Sequence, residues 1–454
     1  MKFFSTRGLA LPCHLSEAIR QGLAPDGGLF VPSQWPSPQT FSQILHDSKW
    51  KELSFSQFAA KFLEPFFQED PLAEHLEKIC ARAFNFPLPC VRIDDHTQVL
   101  ELFHGPTSAF KDFGARFLAL CFNHLEPDPR KQNSKRQPMV LVATSGDTGG
   151  AVAAAFSEFT DIPVCILYPK GQVSQRQEQQ LTCWGEQVRA FSVVGTFDDC
   201  QRLAKEAFLS EYFRDHHHLI SANSINLARL LPQMAYFAYT SLKHNSLKHA
   251  SLKHQSRSGE AKGARFIIPS GNMGNAAAAL WAQKLGFPIA KVIFAHNANS
   301  TIPDYFKTGQ YRPRASLSTL ANAMDVGHPS NFERILNLFP DRETLSKISA
   351  AFSVTDSQIR ETIRFGYSKG QIWCPHTATA AYVRYHLLHA GNLDIADDEI
   401  IVATAHPAKF ESIVEPLIPE KVKVPLTLQA LLSKPSHKIE IDSNLEILAE
   451  NLKI

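Results

Sequence analysis

Several familiar signatures are missing from this chain. No two of its eight cysteines (Cys13, Cys80, Cys90, Cys121, Cys165, Cys183, Cys200 and Cys374) are spaced C-x-x-C, which argues against a zinc ribbon or a thioredoxin-like centre. Scattered singly over a long chain, they read as reduced thiols and predict no metal site. There is no G-x-G-x-x-G turn and no G-x-x-x-x-G-K-[ST] loop, which disfavours a classical nicotinamide enzyme and a P-loop nucleotidase. No window approaches the ~18 apolar residues of a membrane span. Lys2, Arg7 and His14 interrupt the first fifteen residues, so these do not read as a secretory leader. The expected location is the cytoplasm. Charge of one sign is also lacking: 46 Lys and Arg oppose 44 Asp and Glu, a net charge of +2. A general binder of nucleic acid carries a clear basic excess, so that class is excluded. Tyrosine is scarce beside phenylalanine, 9 against 32, and rings without a hydroxyl favour packing over surface recognition.

What is present is a long chain with ample core material. At 454 residues and 44% hydrophobic content, it exceeds the ~150 residues of an ordinary domain and can bury a large interior. Residues 41–85 show helical periodicity, with Phe55, Phe58, Ala59, Phe62 and Leu63 on one stripe. Pro87, Pro89 and the Asp94-Asp95 pair then punctuate the chain. Residues 1–95 are therefore expected to form a small, mainly helical N-terminal domain. From residue 96 to 454 a strand–loop–helix grammar repeats, at 139–159, 164–180, 266–285 and 400–410. This predicts an α/β fold of mostly parallel sheets covered by helices on both faces. A smaller subdomain is placed at about 131–225. Ligands in such sheets sit at the carboxyl ends of strands, where these loops lie.

One segment breaks the grammar. Residues 241–255 read SLKHN-SLKHA-SLKHQ. A five-residue period rotates Leu242, Leu247 and Leu252 off any single helical stripe and alternates them across a strand. Residues 241–263 are therefore expected to be a solvated loop, with His244, His249 and His254 exposed rather than metal-binding. His216–His218 and the basic stretch 130–136 are read as solvated surface in the same way.

Three loops carry the chemistry. Ser270-Gly271-Asn272-Met273-Gly274-Asn275 joins an apolar run to an Ala-rich helix. Glycines allow close backbone approach, and the helix start offers unpaired N–H groups, which together make an anion cradle. Thr144-Ser145-Gly146-Asp147-Thr148-Gly149-Gly150 has the same setting and is a second cradle, although Ser145 could simply cap the helix. The third, "HGPTSAFKDFG", places Lys111 just inside a helix start. A cation is disfavoured there, so the amine's pKa should fall, as suits a nucleophile and base.

Taken together, "HGPTSAFKDFG", "SGNMGN" and "SGDTGG" resemble the threonine synthases of the long bacterial and fungal branch, enzymes of the tryptophan-synthase-β-like, fold-type-II class dependent on pyridoxal 5'-phosphate. Further similar stretches are "STRG" from Ser5, "GLAPDGGLFVP" from Gly22, "YPKGQVSQRQEQQ" from Tyr168, "SANSINLARLLPQ" from Ser221, "ANAMDVGHPSNF" from Ala321 and "TAHPAKF" from Thr404. The resemblance covers about residues 1–415. Met273 departs from the pattern, standing where an aromatic is usual.

The resemblance implies conversion of O-phospho-L-homoserine and water to L-threonine and phosphate. Lys111 would hold the cofactor aldehyde as a Schiff base and shuttle protons. Gly271, Asn272, Met273, Gly274 and Asn275 would hold the cofactor phosphate, and Thr404 would face the pyridine nitrogen. Ser145, Gly146, Asp147 and Thr148 would surround the substrate carboxylate, with Asn223 and Ser224 in the same pocket. Arg229, Lys409 and His376 are the candidate partners of the substrate phosphate. A monomer or homodimer acting on a small molecule is expected. The rival readings are a serine or threonine dehydratase on the same scaffold and a non-catalytic binder of phospho-ligands.

Overall fold

The computed structural model describes residues 1–454 except 47, 126–136, 252–262, 389–398 and 453–454. The basic stretch 130–136 and the third copy of the repeat after Ser251, with His254, lie outside the described residues. The first eighty-odd residues are mainly helical, as expected, with a small sheet at their start. Lys2–Ser5 is the centre of a three-stranded antiparallel sheet, flanked by Cys13–His14 and Phe30–Pro32. The phenylalanine stripe forms the helix Phe55–Phe67, started by a reciprocal Ser54/Gln57 cap. Its buried face, including Phe58, Phe62, Leu63 and Phe66, meets the aromatic side of a long helix, Leu227–Ser251, where the Phe58 and Tyr239 ring centres are 5.0 Å apart.

Two sheets make up the rest. The larger has six strands in the order Ser349–Ser353, Ile289–His296, Ala264–Pro269, Glu399–Ala403, Thr97–Glu101 and Cys90–Asp94. All pairings are parallel except the last, a hairpin. The expected boundary at residue 95 therefore falls inside a hairpin, because Cys90–Asp94 hydrogen-bonds to the larger sheet and not to the N-terminal one. Its inner strands, such as Phe266-Ile267-Ile268 and Ile400-Ile401-Val402, are apolar on both faces because both faces are buried.

The smaller sheet is wholly parallel: Ile439–Asp442, Val188–Val194, Val164–Pro169, Gln137–Ala143 and His217–Ser221. Four strands fall in the segment expected to form the smaller subdomain. The fifth comes from near the C-terminus, which periodicity within 131–225 could not reveal. Of the three histidines at 216–218, His217 and His218 open the last of these strands, and His216 Nδ1 lies 2.8 Å from the Tyr212 carbonyl.

The loop expected at 241–263 is corrected over its first part. The helix Leu227–Ser251 runs through the first two copies of the repeat. Helix propagation adds one hydrogen bond per residue fixed, so a buried front half carries a weakly amphipathic tail with it. Leu242 is 5% exposed and His244 only 3%, so the first copy lies against the protein rather than in solvent. Gln98 Nε2 is 3.3 Å from His244 Nδ1. Among the described residues no helix is long and apolar enough to cross a membrane.

Candidate active site

The loops singled out from the sequence follow the carboxyl ends of four strands. Residues 102–110 follow Thr97–Glu101, 144–146 follow Gln137–Ala143, 270–273 follow Ala264–Pro269, and Thr404 follows Glu399–Ala403. Three of them reach a cleft of about 650 Å³, counting space open to solvent, lined by Lys111, Asp147, Ser224, Arg229, Gln233, Gly271 to Asn275, His376 and Thr404 among others; of the second cradle only Asp147 lines it.

Lys111 is the first residue of the helix Lys111–His124, and its Nζ donates to Thr148 Oγ1 at 2.7 Å. Burial lowers its pKa to about 8, and the Arg229 and Lys409 charges add to this while Asp147 opposes it. The direction is the one expected from the sequence, but desolvation is the leading cause, not the helix start. Across the chain, the Phe110 N–H donates to the Thr404 carbonyl at 2.8 Å, fixing the lysine's loop beside Thr404. Asp112, next to the lysine, was missed in the sequence although it lies within the quoted motif. It accepts from the Thr107 N–H at 2.9 Å and hydroxyl at 2.6 Å, so it shapes the loop that presents Lys111.

The cradle at 270–275 is built on an unusual backbone. Met273 has φ +63° and ψ +5°, a left-handed conformation, immediately before the helix Gly274–Lys284. A side chain there costs roughly 1–2 kcal/mol. Gly271 could carry no side chain, since a Cβ would lie 2.7 Å from Met324 Cα. Asn272 does not face outward: its Nδ2 donates to Ser224 Oγ at 2.7 Å and its Oδ1 accepts the Ser330 N–H. Its part is to pin the loop. Asn275 Oδ1 accepts from the Tyr236 hydroxyl at 2.6 Å, while its Nδ2 is buried without a hydrogen-bond partner among the described residues. An unmet donor beside a glycine turn at a helix start fits an anionic oxygen group such as a phosphate.

In the second cradle, Gly146 precedes the helix Asp147–Phe159 at φ +130°, and a Cβ would meet Gln177 Nε2 at 2.6 Å. The helix start is tied by Thr144 Oγ1, which accepts from the Gly146 and Gly149 N–H groups at 3.0 and 2.9 Å. Ser145 is therefore not the cap that its position suggested; it lies half-buried in the turn. The Asp147 carboxylate is committed to the protein. Lys409 Nζ lies 2.9 Å from its Oδ1, and Gln177 Nε2 donates to the same atom at 3.0 Å. Burial would raise the Asp147 pKa, but the Lys409, His376 and Lys111 charges outweigh it and hold the group down at about 2.

The candidate cations separate in consequence. Lys409 is fully buried, paired with Asp147, and donates to the Thr107 carbonyl at 2.9 Å. It is a structural counter-ion rather than a free partner for phosphate. His376 lines the cleft, but its Nε2 accepts the Ala323 N–H at 3.1 Å and burial lowers its pKa to about 4. It is neutral at pH 7 and braces the loop that carries Met324. Arg229 lines the cleft, 2% exposed, with Nε unpaired among the described residues. Gly114 makes room for it, because a Cβ there would lie 2.7 Å from the Arg229 carbonyl. Ser224 is at the cleft wall; Asn223 is its neighbour and does not line the cleft. Gln177, Gln233 and Asn331, which tie these segments together, were not singled out in the sequence. All three lie in quoted motifs, but only the fold shows what each one reaches.

A lysine with a lowered pKa facing a glycine-rich anion cradle, in an α/β fold of this topology, defines a pyridoxal-phosphate dependent enzyme. The family described as "Pyridoxal-phosphate dependent enzyme" matches residues 98–405, and "Threonine synthase N terminus" matches residues 2–84. The threonine synthase of Serratia marcescens is 36% identical over 445 residues, covering 97% of this chain and 96% of that protein. The crystal structure of threonine synthase from Escherichia coli superposes with a TM-score of 0.84 at 32% identity, over 100% of this chain and 99% of that one. A pyridoxal-phosphate-bound threonine synthase from Brucella melitensis superposes with a TM-score of 0.83 at 30% identity, again over 100% and 99%. The chain belongs to the threonine synthase family.

Proposed function

We propose that the protein converts O-phospho-L-homoserine and water into L-threonine and phosphate, using pyridoxal 5'-phosphate. The observation that carries this is the pairing, in one cleft, of an amine of lowered pKa at Lys111 with the unmet donor of Asn275 at the opposing cradle. When bound, the cofactor supplies an electron sink that stabilises negative charge on substrate carbon. The chain supplies the rest. Lys111 Nζ would hold the cofactor and would be the group that moves protons at the substrate's Cα and Cβ, a role that its lowered pKa and its contact with Thr148 support. The backbone of Gly271, Asn272, Met273 and Gly274 holds the cofactor phosphate together with Asn275. The Thr404 hydroxyl would be the partner of the ring nitrogen, and a neutral partner would leave that nitrogen largely unprotonated.

Ser145, Gly146 and Thr148 receive the substrate carboxylate at the helix start, while Asp147 fixes Lys409. Arg229 is the cation left to meet the substrate phosphate, with Ser224 and its neighbour Asn223 on the same wall. Residues 96–454 act as the catalytic region, with Cys90–Asp94 added to its sheet. The protein works in the cytoplasm as a monomer or homodimer.

Incubation with O-phosphohomoserine, with phosphate and threonine both measured, tests the reading. Equal amounts of each are expected. Phosphate with a keto acid in place of threonine would assign a lyase of the dehydratase type, and no phosphate release would remove the reading altogether.

A further inference from the structure

Arg334 is the second-largest of the fully buried side chains and has 0% exposure. No carboxylate lies within ion-pair distance of its guanidinium among the described residues; its hydrogen-bond acceptors are all carbonyl oxygens, and the Trp281 ring centre lies 6.0 Å away. Nε donates to the Phe30 carbonyl at 3.1 Å, Nη2 to the Ile225 carbonyl at 2.7 Å, and Nη1 to Asn331 Oδ1 at 2.7 Å. Those three acceptors belong to three different parts of the molecule: the N-terminal sheet, the wall beside Ser224, and the loop behind the cradle. A buried cation is costly unless its surroundings require it. Burial lowers the Arg334 pKa, which leaves it charged at neutral pH.

Asn331 carries the connection onward. Its backbone N–H donates to the Asn272 carbonyl at 3.3 Å, and its Nδ2 lies 3.4 Å from the Ser224 carbonyl and 3.3 Å from where a Cβ on Gly274 would stand. The residue before Arg334 repeats the tie outward. Glu333 accepts from the Thr6 hydroxyl and from Arg7 Nε at 3.4 Å, and that N-terminal turn is itself organised by Asp26, which accepts from Ser5 Oγ at 2.6 Å and from the N–H groups of Gly28, Leu9 and Ala10.

We infer that Arg334 is a positioning residue through which the N-terminal domain holds the phosphate cradle in its binding shape, acting on the Asn272–Gly274 backbone by way of Asn331. This rests on the cofactor reading above. A planar fork is required, because three acceptors in three directions are reached at once; an ammonium group has the charge but not the geometry.

The test uses the full chain stripped of cofactor and compares binding of pyridoxal 5'-phosphate with binding of pyridoxal, followed by visible absorbance. Wild type that binds neither would remove the cofactor reading itself. With wild type binding, folded Arg334→Lys is expected to bind pyridoxal 5'-phosphate about tenfold more weakly, the scale of one charge-assisted hydrogen bond, and pyridoxal unchanged. Asn331→Ala is expected to reproduce that loss, and the double variant to add nothing. Affinity within twofold of wild type in Arg334→Lys, an equal loss for pyridoxal, or additive losses in the double variant would each overturn the inference. If Arg334→Lys does not fold, Asn331→Ala decides alone: a selective loss for the phosphorylated form supports the inference and an unchanged affinity overturns it.

Discussion

The chemistry of single side chains here is set by what surrounds them. Lys111 has an ordinary lysine's value of 10.5 lowered to about 8. Below about pH 8 it is protonated and cannot attack an aldehyde; above it the free amine dominates. The rate at which cofactor-free protein captures pyridoxal 5'-phosphate is therefore expected to rise with pH and level off above about 8, by stopped-flow absorbance. Lys111→Ala should abolish both the visible absorbance and the activity. Asp147 shows the opposite arrangement. Its folded value of about 2 lies below the ordinary 3.8, so its contribution to stability is complete above roughly pH 4 and is lost as pH falls through about 2. Asp147→Asn leaves Lys409 buried with no counter-charge and is expected to cost about 3–5 kcal/mol in denaturant unfolding, with partial recovery on adding Lys409→Met.

Lys111 and the glycine loops could be picked out in the sequence because each lies in a compact run whose residue types suit one chemistry; Thr404 is reached only through the resemblance of "TAHPAKF". The fates of Lys409 and His376 could not. Whether a cation is free depends on the residue opposite it, and Asp147 lies far along the chain from Lys409.

At the level of elements, the loops after the strands govern function because their backbones are locked by neighbours. Gly271→Ala would drive a Cβ into the Met324 backbone, which cannot swing aside as a side-chain end can. Loss of cofactor absorbance with a lowered melting temperature is expected, whereas Gly171→Ala, where nothing lies within 4 Å of a new Cβ, should change only local backbone strain and keep the cofactor. The strand–loop–helix order was legible from alternating apolar runs and glycine turns, since each unit is local. The helix through the SLKH repeat was not. Its five-residue period argues against a regular buried face, yet the segment continues a helix whose front half is fixed by Leu227, Leu230, Leu231 and Tyr236 in the core. Context outweighed local pattern.

The whole molecule depends on long-range closure. Strand Ile439–Asp442 covers one edge of the smaller sheet, and Ile441, Leu448 and Leu452 are buried against Val193 and its neighbours. Removing residues 436–454 would expose the edge of Val188–Val194 and about 5 kcal/mol of apolar burial. A lower melting temperature and self-association on size-exclusion chromatography are expected. No pattern within the smaller subdomain announces this strand, for the same reason that no sequence window announces Arg334's three partners.

That last strand also bears on the order of events during synthesis. Arg189 donates to the Leu452 carbonyl at 2.9 Å across 263 positions of sequence. A growing chain can complete the N-terminal sheet early, but the smaller sheet stays open on one side until Ile439–Asp442 has been made. Until then its Val188–Val194 edge is available to other chains. The interval between translation of residue 194 and that of residue 442 is thus the period in which this edge is exposed to association.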